Sequence, residues 1–185
     1  VYTTIDSKMQ IYAEAAVKAH MKQLQKAFDA ENNRKKNVTY PFVKVTKDEY
    51  NNLIERAMKS SNRWIHLKYL GYSEKEIRES FNKKVEMRVF SWKGERDTVM
   101  TPRDSILYYK AFLRTGMMSM EPRTGHIKAW VGGINYKHFQ YDQVAQGARQ
   151  TGSSFKPFVY ATAIDQLHYS PCLELPDIQT CIEAG

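Results

Sequence analysis

The stretch Arg149-Gln-Thr-Gly-Ser-Ser-Phe-Lys-Pro-Phe-Val-Tyr160 places a serine three residues before a lysine, behind a glycine and at the entry to an apolar run. Serine alone is a poor nucleophile near neutral pH and needs a base within hydrogen-bond reach. On a helix, positions i and i+3 share a face, so Ser153 and Lys156 can meet there. A desolvated or cation-crowded lysine has a lowered pKa and can accept the serine proton. The positive end of a helix dipole also favours charge developing at a serine in the first turn. Phe155, Phe158 and Val159 are the side chains expected to pack around the pair. The plain alternative is that Ser153 is a helix N-cap. The bare spacing is cheap, because Ser80-Phe-Asn-Lys83 fits it equally well and reads as a helix surface. Pro157 adds a local conflict: the residue before a proline avoids the α region, and the proline has no amide to bond residue 153. The expectation is a tight or distorted first turn, with regular helix only after Pro157.

Upstream of this stretch the chain alternates between helical and strand-like patterns. Val1–Ile5 reads as a short β-branched strand, and Asp6 as the cap of a long helix. Met9, Tyr12, Ala13, Ala16, Val17, Met21, Leu24 and Phe28 fall on one face of that helix, which reads as core-facing. Residues 30–38 are polar and basic and read as a loop. Two capping boxes follow, Thr46-Lys-Asp-Glu49 and Ser73-Glu-Lys-Glu76. In each the hydroxyl takes the amide of the Glu, and the Glu returns to the cap amide. With the aromatic stretch Trp64–Leu70 between them, residues 46–83 predict a small helical unit.

The period then changes to two. Val85, Met87 and Val89 alternate with Glu86 and Arg88, which predicts a half-exposed strand ahead of a turn at Trp92–Glu95. Thr101-Pro-Arg-Asp104 starts another helix, with Gly116 as its left-handed stop. Met117–Met120 and His126–Val131 read as a hairpin around Glu121-Pro-Arg-Thr-Gly125. Gly132-Gly133 ends it, and a long loop carrying Tyr136, Phe139 and Tyr141 leads to Arg149.

Composition bounds the function classes. Across 185 residues, 42% apolar and 26% charged is ordinary for a globular protein. There is no run of 18 apolar residues, so no membrane segment is expected here. No secretory signal is read at Val1, and the chain reads as a piece of a longer protein. The net charge of +8 attracts polyanions. Much of it sits in solvated rows such as Lys18, Lys22 and Lys26, and no zinc spacing or RNA-binding signature accompanies it, so nucleic acid is not expected as a partner. The two cysteines, Cys172 and Cys181, fit either a loop disulfide in an oxidising compartment or two unrelated thiols. They cannot build a four-ligand zinc site alone, and no metal or other cofactor is expected.

The opening stretch closely resembles the nucleophile motif of class A penicillin-binding proteins, the bifunctional peptidoglycan synthases. Met120-Glu-Pro-Arg-Thr-Gly-His-Ile-Lys-Ala-Trp-Val-Gly-Gly133 resembles their hairpin of form D-P-x-T-G-x-I-x-A-x-V-G-G. Val1-Tyr-Thr-Thr-Ile-Asp-Ser-Lys-Met-Gln10 resembles the V-x-T-T-I-D-x-x-x-Q stretch that follows their glycosyltransferase domain. Three motifs in the family's order span nearly the whole chain. Residues 31–116 match the generic pattern less and look like a lineage-specific elaboration of the Bacteroidetes type.

The resemblance implies a fold, a reaction and a compartment. The fold would be α+β, the N-terminal part of the penicillin-binding-protein transpeptidase (serine β-lactamase-like) fold, with an incomplete antiparallel sheet. Residues 1–116 would be the linker and N-terminal transpeptidase region, with a helical insertion at about 31–84. Residues 117–185 would begin the transpeptidase domain. Ser153 would attack the D-Ala–D-Ala bond of a stem peptide, with Lys156 as base, and the acyl group would pass to an amine on a neighbouring strand. β-Lactams would acylate the same serine. The expected partners are stem peptides, β-lactams, glycan strands and cell-wall synthesis proteins. The expected place is the periplasmic side of the inner membrane, with the anchor outside these residues.

The family's second and third motifs, S-x-N and K-T-G or K-S-G, lie after the nucleophile, and residues 157–185 contain neither. Ser60-Ser61-Asn62, Arg114-Thr-Gly116 and Arg123-Thr-Gly125 look similar but precede the nucleophile, and read as a loop, a helix stop and a hairpin turn. The fragment alone is therefore expected to be inactive. Two other readings stand beside this one. The first is a serine β-lactamase-like enzyme. The second is a non-catalytic docking or spacing module in residues 1–116, using aromatics such as Trp64 and Tyr69.

Overall fold

The computed structural model describes residues 2–32 and 37–174. It divides into two compact units, residues 1–147 and 148–185. The first mixes helices with two small antiparallel sheets, an α+β arrangement.

Helix α1 (Ser7–Glu31) begins where expected, with the Asp6 carboxylate accepting the Met9 amide at 2.9 Å. Residues 2–6 form no strand; instead Thr4 and Asp6 each bond the hairpin strand beyond them. Helices α2 (Lys47–Lys59), α3 (Asn62–Tyr69) and α4 (Glu74–Asn82) follow. Both predicted capping boxes close in both directions, at Thr46–Glu49 and Ser73–Glu76. Strands β1 (Val85–Val89) and β2 (Arg96–Met100) pair antiparallel around the Ser91–Gly94 turn. The sequence pattern anticipated β1 only, because Arg96-Asp-Thr-Val-Met100 shows no clean alternation. Its register is fixed partly by charge: Arg88 faces Asp97 across the pair and forks onto it at 2.8 and 3.1 Å. Helix α5 (Pro102–Lys110) is capped by Thr101, whose hydroxyl accepts the Asp104 amide at 3.0 Å. The second sheet is the predicted hairpin, β3 (Met117–Met120) against β4 (Ile127–Val131), turning at Gly125 with φ +69°.

Two cores hold this unit. Ile54, Met58, Trp64, Ile77, Phe81 and Leu107 form the first, so α5 closes the helical unit that α2–α4 begin. Trp64 is 4% exposed, which corrects its reading as a surface docking aromatic; Tyr69, at 86%, does face solvent. Ala13, Val17 and Met21 pack on Ala129 and Val131 to form the second, which seats α1 on the hairpin. Met9, Tyr12 and Leu24 were expected on that core face and are exposed. The stripe continues instead through Gln25, buried and fully bonded: its amide donates to Ala111 O at 3.0 Å and its oxygen accepts Leu113 N–H at 2.9 Å. A buried amide with both ends satisfied costs little, and here it replaces an apolar contact with a fixed point for the chain leaving α5. The α1–hairpin seam repeats the device. Gln10 donates to Trp130 O at 3.0 Å and accepts Trp130 N–H at 2.8 Å. Together with Asp6 N–H on Lys128 O, this covers the outer edge of β4 as a third strand would.

The second unit holds a single 3-10 turn, Gly152–Phe155, running into α6 (Lys156–Asp165) among its described residues. No described helix is long and apolar enough to cross a membrane. Cys172 is exposed, and Cys181 lies outside the described residues.

Candidate active site

The loop that leads toward Ser153 is pinned within the first unit. Asp142 accepts the Val144 and Ala145 amides on one oxygen, at 2.8 and 3.0 Å, and the Trp130 indole N–H on the other, at 2.9 Å. These donors, the Ala145 amide foremost, hold its carboxyl below the usual aspartate range. Two glycines make the close approach possible. A Cβ at Gly132 would lie 2.8 Å from the Asp142 carboxyl carbon, and one at Gly116 would lie 2.7 Å from a Val144 methyl. Gly116 was expected as a left-handed helix stop, but it has no positive φ and α5 ends earlier, at Lys110. What it supplies is room for the loop. Farther along, His138 Nε2 meets Glu95 at 2.6 Å and its Nδ1 meets the Tyr109 hydroxyl at 3.0 Å, which ties the loop to the β1–β2 turn and to α5. Lys137 and His138 together hold the Glu95 carboxyl below its ordinary value.

In the second unit Gly152 takes φ +54°, a conformation costly for residues with a Cβ. The 3-10 turn follows at once, and the Lys156 amide donates to Ser153 O. Side chains at i and i+3 eclipse in a 3-10 turn, so Ser153 and Lys156 emerge on one side. The tight first turn was predicted from Pro157, and it is present. The conflict at Lys156 is settled differently from expectation: Lys156 is αR (φ −53°, ψ −40°) despite preceding a proline, and α6 begins there rather than after Pro157.

Spacing brings the pair to one side without joining it. Among the described residues no hydrogen bond links the Ser153 hydroxyl to Lys156, and both residues are exposed. Nor is Ser153 a cap, since α6 starts without a side-chain cap. The bonded hydroxyl in this turn belongs to Ser154, which donates to Thr151 O. Phe155, Phe158 and Val159, expected to pack around the pair, are exposed; Phe155 and Phe158 lie 5.4 Å apart, ring to ring. Tyr160 and Ile164 are exposed as well, so α6 presents apolar side chains on several faces, and Leu167 just beyond its end is exposed too. A helix apolar all round normally lies in a core.

The other motif look-alikes resolve as local structure. Ser61 caps α3 and donates to Met58 O. Ser80 bonds back to Ile77 O within α4. Arg123–Gly125 is the hairpin turn. No cluster of three or more His, Cys, Asp or Glu that could hold a metal gathers among the described residues.

Residues 37–113 match the family model of the penicillin-binding protein middle domain. The segment that looked like a lineage-specific elaboration therefore carries a pattern recognised within the family. The match and the relatives together make the chain similar to penicillin-binding proteins. The relatives are penicillin-binding proteins 1A. That of Pseudomonas aeruginosa is 40% identical over 39% of this chain and 9% of its own length. That of Vibrio cholerae is 40% identical over 28% of this chain and 6% of its own. That of Neisseria cinerea is 33% identical over 33% of this chain and 8% of its own. Each match thus spans less than a tenth of the relative. No solved structure matches.

Proposed function

We propose that this chain is part of a peptidoglycan synthase whose D,D-transpeptidase acylates on Ser153. The observation that carries the reading is the turn itself. A positive-φ glycine and a 3-10 turn set Ser153 at the entrance to α6, with Lys156 on the same side three residues on. In the proposed reaction Lys156, as the free amine, accepts the Ser153 proton while Oγ attacks the penultimate D-Ala carbonyl. The C–N bond breaks, the terminal D-Ala leaves as an amine with a proton, and an acyl-serine remains. An amine of a neighbouring stem peptide attacks that ester, forms the cross-link and returns the proton to Ser153. A β-lactam enters by the same first step, but its opened ring stays attached.

Two features agree with residues 117–185 being the beginning of the transpeptidase domain. The uncovered apolar surface of α6 matches a helix meant for the middle of a larger core. The unmade Ser153–Lys156 bond matches a site whose surroundings are incomplete. By the same reading a glycosyltransferase domain lies upstream, the substrates are stem peptides on glycan strands, and the site works on the periplasmic side of the inner membrane.

Fluorescent penicillin tests this. The 185-residue chain should label weakly or not at all, and the full-length protein carrying S-x-N and K-T-G should label, with Ser153→Ala abolishing the signal. Efficient labelling of the short chain would overturn the need for the downstream strands. Labelling that survives Ser153→Ala in the full-length protein would overturn the nucleophile.

A further inference from the structure

We propose that Asp142 is a positioning residue for acylation, an inference that rests on Ser153 being the nucleophile. The loop before the nucleophile is fastened at one group. One Asp142 oxygen holds the Val144 and Ala145 amides and the other holds the Trp130 indole N–H. The same carboxyl fills the space left at Gly132, while Val144 fills the space at Gly116, so the loop is seated at the end of β4 and at the start of β3. Gln143 N–H donates to Gly132 O at 2.7 Å and the Tyr141 hydroxyl bonds Gln146 O, extending the fastening to the last residues of the unit. Only residues 148–152 then separate this loop from Ser153. Asp142 therefore fixes the point from which the nucleophile segment departs, although it touches neither Ser153 nor any substrate.

The pairing of atoms supplies a specific test. Asp142→Asn can keep an oxygen toward the Val144 and Ala145 amides, but it then turns an NH2 toward the Trp130 N–H, donor against donor. Trp130→Phe removes that donor. In the full-length protein, saturation kinetics with a fluorescent penicillin separate the non-covalent dissociation constant from the acylation rate constant, counted per titratable site. Asp142→Asn should lower the acylation rate constant by about tenfold or more with the dissociation constant little changed, because small misplacement of a reacting group costs that much. The double variant Asp142→Asn/Trp130→Phe should return to within about threefold of Trp130→Phe alone. An unchanged rate constant in Asp142→Asn, or effects of the two substitutions that simply multiply, would overturn the proposal. Loss of titratable sites without a change in rate per site would overturn it too, since that marks a purely structural role. Labelling that persists in Ser153→Ala would instead mean that the nucleophile reading itself had failed.

Discussion

Replacing Gln25 by methionine tests whether the amide clamp, rather than the volume of the side chain, anchors the segment after α5. Methionine keeps length and flexibility and loses only polar atoms. The Ala111 carbonyl and the Leu113 amide would then lose their partners at 3.0 and 2.9 Å. Each buried backbone group left unbonded costs about 1–3 kcal/mol. Both lie in half-buried positions where water can reach partway, so the low end applies, and the pair together gives about 2 kcal/mol. The added apolar burial at position 25 offsets a fraction of that. On a domain of this size 1 kcal/mol shifts the midpoint by about 2–4 °C, so a fall of about 4–6 °C is expected. Urea unfolding of the whole chain, followed by circular dichroism, should show a lower midpoint with an unchanged slope. A Gln25→Met chain as stable as the parent, or more stable, would refute the clamp.

Thr46→Ala and Ser73→Ala should each cost about 1 kcal/mol in the same unfolding assay. The two caps share no partner, so the double variant should lose close to the sum. Stability should also fall in acid. The Glu49, Glu76, Asp97 and Asp142 carboxyls are held below their ordinary values, by Thr46, Ser73, Arg88 and the Ala145 amide respectively. A depressed value in the folded state means that the unfolded chain binds protons first as pH falls. Their contribution is therefore complete above the ordinary carboxylate range and is lost below about pH 4. Melting temperature measured from pH 7 to pH 3 should be level, then drop; a rise on acidification would contradict the hydrogen-bonding assignments.

What the sequence revealed and what it hid divide by distance along the chain. The capping boxes, the Asp6 cap, the Thr101-Pro102 helix start and the Gly125 turn are local chemistry, complete within a few residues, and all stand as read. The tight turn before α6 was legible for the same reason, from Pro157, although the helix begins at Lys156 rather than after the proline. Gln10 and Gln25 were not legible, because their partners lie at Trp130 and at Ala111 and Leu113. On a helical wheel a buried glutamine looks like an interruption of the apolar stripe. Gly116 was misjudged similarly: its neighbour Val144 belongs to a later loop, so a local rule supplied the wrong reason for the glycine. Strand β2 was hidden because its residues show no clean alternation and its backbone ladder runs to β1 across the turn. At the candidate site, spacing gave the shared side of Ser153 and Lys156. It could not give the packing around them, which the described residues do not provide.

The central claim is that Ser153 becomes acylated, and a peptide map of the penicillin adduct measures it most directly. Trypsin cuts after Arg149 and spares the Lys156–Pro157 bond, so the peptide beginning at Gln150 carries Thr151, Ser153 and Ser154 together. Fragmentation mass spectrometry of the labelled full-length protein should place the added mass on Ser153. An adduct on Ser154, whose hydroxyl is already committed to Thr151 O, or on any residue outside this peptide, would contradict the account.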